Sequence, residues 1–178
     1  MTKATERLVK EARQGDKEAF TAIILEHEKS LYRTANTILK NDEDARDAIQ
    51  DTILESYNSI RTLKEPKFFK TWLIRILINK CYLICYEQKK HRYLQIDQLE
   101  VEAPQNDRDI EFDVRKTIKE LSQNDQLILS LFYFEDISIK EIATILSISE
   151  GAVRTRLSRS REHFKSIYIK KEAPCHET

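Results

Sequence analysis

The chain has 178 residues with 30 basic and 30 acidic side chains, so its net charge of zero neither selects nor excludes a nucleic-acid or membrane partner. Two glycines and three prolines leave helix as the default almost everywhere, and strand-like alternation is hard to find. Arg75, Asn79 and Lys80 break the longest apolar run, so no membrane span is expected, and the odd set Cys81, Cys85 and Cys175 without an export signal reads as reduced thiols in a cytoplasm.

In chain order, Asp16 is expected to cap a helix carrying Ala19, Phe20, Ile23 and Ile24 on its apolar side. A second helical pattern runs through Leu31, Ala35, Ile38 and Leu39. Asn41 and Asp42 punctuate the chain. Residues 42–57, DEDARDAIQDTILESY, then place acids in a first helical turn, where the backbone dipole favours them. Ala45, Ala48, Ile49 and Ile53 are expected to face inward, which leaves Asp44, Asp47, Gln50, Asp51 and Glu55 outside. Pattern alone reads that outer face as solvated acid.

Residues 58–66 are expected to form a loop holding Arg61 and Lys64. The segment 67–86 is apolar round most of a helix, with Phe68, Phe69, Trp72, Leu73, Ile76, Leu77, Cys81, Ile84 and Cys85 burying two sides. One stripe stays polar: Lys67, Thr71, Arg75 and Asn79 at i+4 steps, continued by Tyr82 and Tyr86. Cations and hydrogen-bonding groups beside aromatic rings suit a nucleic-acid backbone and unstacked bases. Trp72 reads first as packing, because buried aromatics dominate cores.

The charges are sorted along the chain: residues 61–92 hold nine basic and two acidic groups, and residues 93–113 one basic and seven acidic. The acidic stretch contains Pro104 and lacks a helical period, so it reads as a flexible linker that would avoid DNA. These shifts divide the chain into a helical domain over 1–92, a linker over 93–112, a second helical domain over 113–172 and a tail over 173–178.

Ser138 and Glu141 form a capping-box signature ahead of Ile139, Ile142, Ala143 and Leu146. Ser147, Ile148 and Ser149 break the period, and Ser149 caps a second helix with Val153, Leu157 and Phe164 on one side. Gly151, Thr155, Ser158 and Arg159 fall on the other side, flanked by Arg154 and Arg156. A packed back and a front of short polar groups and arginines suit the DNA major groove. An ordinary helical hairpin with a solvated basic face is the plainer alternative.

Four blocks in this order resemble a sigma factor of bacterial RNA polymerase, of the extracytoplasmic-function group in the sigma-70 superfamily: ARQGDKEAF at 12–20, DEDARDAIQDTILESY at 42–57, FFKTWLIRILINKC at 68–81, and the stretch 121–161 that ends in LSISEGAVRTRLSRSR. The resemblance implies a region 2 domain that binds core polymerase and melts the −10 element, and a region 4 domain whose helix-turn-helix reads the −35 element. Asp44, Asp47, Gln50, Asp51 and Glu55 would dock on the polymerase clamp, which reverses the pattern-only reading of those acids. The loop at 58–66, with Arg61 and Lys64, would capture a flipped base. Lys67, Thr71, Arg75, Asn79 and Lys80 would hold the adjacent strand. Gly151, Arg154, Thr155, Arg156, Ser158 and Arg159 would meet the −35 duplex. An anti-sigma partner, often membrane-anchored, would hold the protein in check. No cofactor, metal or small-molecule substrate is implied.

Two positions depart from the family. Ser147 stands where glycine is usual, so a left-handed turn there is either strained or rearranged. Ser122 stands where proline is usual, and with Asp125 it spells a capping box. Two rival readings stay in view. A stand-alone helix-turn-helix regulator would use the C-terminal motif but leave the acidic helix and the linker without purpose. A metal or redox sensor would use Cys81, Cys85 and His91, at a spacing that matches no common zinc pattern. His27, His91, His163 and His176 are scattered, and no glycine-rich phosphate loop or nucleophile–base pair suggests an enzyme.

Overall fold

A computed structural model describes residues 2–94 and 111–172, with side chains at 2–90, 114 and 116–169. The chain divides into two compact units, Met1–Val101 and Glu102–Thr178. Every described element is helical: α1 (Lys3–Arg13), α2 (Lys17–Leu39), α3 (Asp42–Ser59) and α4 (Phe69–Leu94) in the first unit, α5 (Glu111–Lys119), α6 (Gln123–Leu129), α7 (Ile139–Leu146) and α8 (Glu150–Glu172) in the second. Most of the acidic linker expected over 93–112, and the tail over 173–178, lie outside the described residues. Among the described residues no helix is long and apolar enough to cross a membrane.

In the first unit α2 and α4 form the centre, with α1 and α3 packed against α2. The Asp16 carboxylate accepts from the Ala19 amide at 3.0 Å, which starts α2 as expected. The two helical patterns read from the sequence are one continuous helix. Its middle is buried at His27, whose Nδ1 lies 2.8 Å from the Ile23 carbonyl, so the polar ring is satisfied within its own helix. The turn from α1 to α2 needs Gly15, which sits at φ 104°, where a side chain would be strained. Helix α1, unmarked by periodicity, buries Thr5, Val9 and Ala12.

The inward face of α3 differs from expectation. Ala45, Ala48, Thr52 and Ser56 are buried, while Ile49 and Ile53 are only half-buried. Thr52 and Ser56 donate to the Ala48 and Ile53 carbonyls at 2.6 and 2.9 Å, so small polar side chains enter the core without an orphaned hydroxyl. In α4 the core positions are Phe69, Leu73, Ile74, Leu77, Ile78 and Cys81. Phe68, expected inside, is 42% exposed and carries the Lys67 ammonium 4.9 Å above its ring. Trp72, Ile76, Ile84 and Cys85 are half-buried, and Trp72 leans on Phe69.

The second unit is built on α8, which packs against α5, α6 and α7. The capping box of α7 is complete: Ser138 Oγ accepts from the Glu141 amide at 3.3 Å and Glu141 Oε2 from the Ser138 amide at 3.1 Å. Ile142, Ala143 and Ile145 are buried, whereas Ile139 and Leu146 are half-buried. Ser147 then takes the left-handed conformation at φ 54°, ψ 43°, so the turn is kept and the serine carries the strain. Ser149 Oγ accepts from the Ala152 amide at 3.1 Å and opens α8. At α6 only half of the expected box forms. Ser122 Oγ accepts from the Asp125 amide at 3.2 Å, but the Asp125 carboxylate turns to Ser160 and His163 of α8 instead of the Ser122 amide.

Candidate nucleic-acid interface

On α8, Val153, Leu157 and Ser160 are fully buried and recur on one side of the helix. Away from it the helix is open: Gly151, Thr155, Ser158 and Arg159 are exposed on the opposite side, and Arg154 and Arg156 are exposed on its two flanks, as read from the sequence. Arg154 Nη2 donates to Glu150 Oε2 at 3.2 Å, an exposed pair that water screens and an anion can displace. Thr155 Oγ1 donates to the Gly151 carbonyl at 3.0 Å. A methyl on Gly151 would meet only Ser149 Oγ, at 3.9 Å, and its backbone is ordinary helix. The fold therefore does not require glycine there. A bare backbone at the start of the helix leaves room for a duplex to come close. Arg161, exposed two turns beyond Arg154, is turned back along the helix and donates to the Leu157 carbonyl at 3.1 Å.

The first unit carries two further surfaces of opposite sign. One follows the start of α4. Ile60 and Leu63, 3% and 5% exposed, pin the 58–66 segment, and two 3-10 turns, Ile60–Thr62 and Pro66–Phe68, tighten what the sequence read as a loop. Arg61 and Lys64 point outward, and the Lys64 carbonyl accepts from Arg13 Nη1 at 3.4 Å. Lys67, Arg75 and Asn79 are exposed and Thr71 is half-buried. Tyr82 and Tyr86 continue this row, 46% and 67% exposed. Lys80 is half-buried and sits about 140° round the helix from Arg75, off that row.

The other surface is acidic. Asp44, Asp47, Gln50 and Asp51 of α3 line an open groove of about 470 Å³ together with Ile84, Glu87 and Gln88 of α4. Gln88 Nε2 donates to Asp44 Oδ2 at 2.8 Å and ties the two walls. Glu55 is exposed on the same helix beyond the groove. The residues supplied by α4 were missed in the sequence, because nothing in a linear pattern brings residues 84–88 beside residue 44. Leu54, 62% exposed, was missed as well, although an apolar residue outside the inward period is a legible signal.

The second unit also has an apolar pocket of about 280 Å³ lined by Val114, Ile118, Leu129, Tyr133, Phe134, Arg161 and Phe164. A π-helical turn at Ser130–Phe134 widens the chain there and leaves Tyr133 and Phe134 outside the core.

A metal or redox role gains no support from the thiols. Burial, with the neighbouring Cys85, pushes Cys81 up to about 12, and burial also raises Cys85, so both are held away from the thiolate that metals and oxidants attack. The side chain of His91 lies outside the described residues. Among the described residues no group of three His, Cys, Asp or Glu side chains could hold a metal ion.

Residues 23–84 match the sigma-70 region 2 family and residues 111–164 the sigma-70 region 4 family. The RNA polymerase sigma factor SigV of Bacillus subtilis (strain 168) is 30% identical over 149 residues, which cover 83% of this chain and 90% of that protein. The ECF RNA polymerase sigma-E factor of Haemophilus influenzae is 28% identical over 171 residues, covering 87% and 90%. In structure the chain is similar to the sigma factor RpoE solved in complex with the anti-sigma factor NepR from Bartonella quintana, with a TM-score of 0.70, 20% identity, and 86% and 98% of the two chains covered. The stand-alone regulator is thereby set aside, since both family regions occur in one chain in the order the four sequence blocks take. Region 2 before region 4, and a relative matched over nine-tenths of its length, place the chain in the sigma-70 family of RNA polymerase sigma factors, within the extracytoplasmic-function group.

Proposed function

We infer that this sigma factor grips a promoter at two points while docked on core polymerase, and that the surfaces described above divide the work. Region 2 would span residues 1–92 and region 4 residues 113–172. The exposed face of α8, with Gly151, Arg154, Thr155, Arg156, Ser158 and Arg159, enters the major groove of the −35 element, where arginine pairs with guanine or phosphate. The row Lys67, Thr71, Arg75 and Asn79, with Lys80 on its flank, holds the −10 strand, and Arg61 and Lys64 edge the place where a base is taken out of the stack. Unstacking costs a few kcal/mol, which capture of the base offsets, so opening needs no chemistry of the protein's own. The acidic groove and Glu55 dock on a basic face of core polymerase, which makes the chain a specificity subunit without catalysis, acting in the cytoplasm. By analogy with the Bartonella complex, an anti-sigma protein, in some cases membrane-anchored, occupies these surfaces when the protein is idle, and the apolar pocket of the second unit is a surface suited to such a protein partner.

The observation that carries the reading is the two-sided α8, fully buried along Val153, Leu157 and Ser160 and open along all six DNA-facing positions. The test is transcription in vitro with core polymerase, the full chain and a pool of genomic fragments, followed by mapping of start sites. Starts clustered downstream of a shared pair of elements are expected. Starts that are unchanged when the chain is added would overturn the reading.

A further inference from the structure

We propose that Asp125 is a positioning residue for promoter reading: it holds the back of α8 through Ser160 and His163, so that the recognition face meets DNA in one rotation. The proposal rests on the assignment of α8 to the −35 duplex made above.

The Asp125 carboxylate, on α6, accepts from Ser122 Oγ at 2.8 Å, from Ser160 Oγ, and through Oδ2 from His163 Nδ1 at 3.1 Å. Ser160 is fully buried and the Asp125 side chain is 16% exposed. Ser160 thus interrupts an otherwise apolar back formed by Val153, Leu157 and the half-buried Phe164. Apolar contacts are non-directional, so they resist separation of two helices better than they resist rotation. Hydrogen bonds have narrow angular limits. The bond to buried Ser160 therefore sets the rotation of α8 against α6, and the bond to His163, 62% exposed and three residues on, adds a weaker, water-screened hold on its height.

Ser158 and Arg159 immediately precede Ser160, on the reading side. Side-chain tips lie roughly 5–6 Å from a helix axis, so a rotation of about 20° moves them about 2 Å. That displacement exceeds the tolerance of a hydrogen bond to a base edge. The electrostatics agree with this geometry. Burial alone would raise the Asp125 carboxyl, but the hydrogen bonds from Ser160, Ser122 and His163, with the charge His163 can carry, bring it below the ordinary value. An ionised carboxylate can accept from all three partners, whereas an amide in its place presents a donor to one of them.

The test compares the full chain with its Asp125→Asn, Asp125→Ala and Ser160→Ala variants, each with core polymerase, on promoters that differ by single bases in the −35 element. The quantity read is the ratio of transcript from the preferred promoter to that from each mismatched one, which does not depend on how much folded protein is present. Both Asp125 variants and Ser160→Ala are expected to lower this ratio by at least about threefold, with polymerase binding unchanged. A ratio that holds while output falls uniformly would show a stability brace only and overturn the proposal. Ser160→Ala removes a single hydroxyl, so it carries the test even if Asp125→Ala fails to fold. A wild-type protein with no −35 preference would overturn the assignment of α8 itself, a result distinct from the first.

Discussion

Two residues of the helix-turn-helix set backbone economy against reading. Ser147 holds a left-handed turn at φ 54°, a conformation that costs a side-chain-bearing residue roughly 1–2 kcal/mol. Ser147→Gly is expected to raise stability by about 1 kcal/mol, after glycine's own entropy cost, and to leave promoter choice unchanged. Gly151 is the converse, a glycine in ordinary helix with room for a methyl group. Gly151→Ala should stabilise the fold by about 0.4–1 kcal/mol while weakening −35-dependent initiation, because the added methyl would stand on the face assigned above to the duplex. Thermal or denaturant unfolding of each variant, set beside its transcription from one mapped promoter, checks both halves. At Asp125 the relevant variable is pH. Its carboxyl titrates below the ordinary value in the fold, so its contribution is full above the unfolded value, near pH 4, and drains away as pH falls through the lowered one. The acid limb of the unfolding curve should therefore be shallower in Asp125→Asn than in the wild type, and equal slopes would mean that this carboxylate gives no acid-labile stability.

Helices α3 and α8 each bury one side and leave a charged one, and the two charged sides are assigned to different partners. Arg154→Ala or Arg159→Ala should lower promoter-specific initiation by an amount corresponding to about 1–3 kcal/mol and spare polymerase binding. Asp47→Ala with Asp51→Ala should do the reverse, with polymerase affinity down by about tenfold or more. Pull-down of core polymerase and transcription from one template, run on both sets, separate the two, and loss of polymerase binding in the arginine variants would count against the assignment of faces. At this scale the sequence is most legible where a residue's type and its burial agree. The capping box at Ser138, the cap at Asp16 and the two-sided α8 are all plain in the chain. Legibility fails where small or polar side chains are buried on terms only the fold supplies. Helix α1 packs with Thr5, Val9 and Ala12, too little apolar bulk to mark a period. Helix α2 looks like two because His27 interrupts its pattern, yet the ring is satisfied by the Ile23 carbonyl. Thr52 and Ser56 displace Ile53 from the inward face of α3 for the same reason. The acidic wall of α3 was readable, but Ile84, Glu87 and Gln88 join it through the packing of α4 on α3 and through no motif.

For the whole molecule, a net charge of zero conceals surfaces that must work in opposite senses. The acidic groove on α3 and α4 would repel the phosphates that the start of α4 and the face of α8 attract. A chain so divided gains little from long-range attraction to DNA while free, and docking through the acidic side, as proposed, would cover it on polymerase and leave the basic surfaces to act. Salt should then act on the two partnerships separately. Between roughly 0.05 and 0.5 M salt, screening shortens from beyond a side chain's length to a few ångströms, so polymerase affinity of the wild type should fall. The Asp47→Ala, Asp51→Ala protein should start weaker and fall less, and the two curves should approach each other at the high end. On promoter DNA, the same holoenzyme carrying Arg154→Ala should show a log–log salt slope reduced by about one, as expected when one phosphate is no longer neutralised. If Arg154 reads a base instead, its removal leaves that slope nearly intact and flattens the preference among −35 variants, so the salt series assigns the guanidinium to backbone or base. Titrating both complexes across the same salt range makes the two behaviours directly comparable. Parallel salt curves for the wild type and the double-acid variant would mean that the acidic groove is a solvated surface and that polymerase docks elsewhere on the first unit.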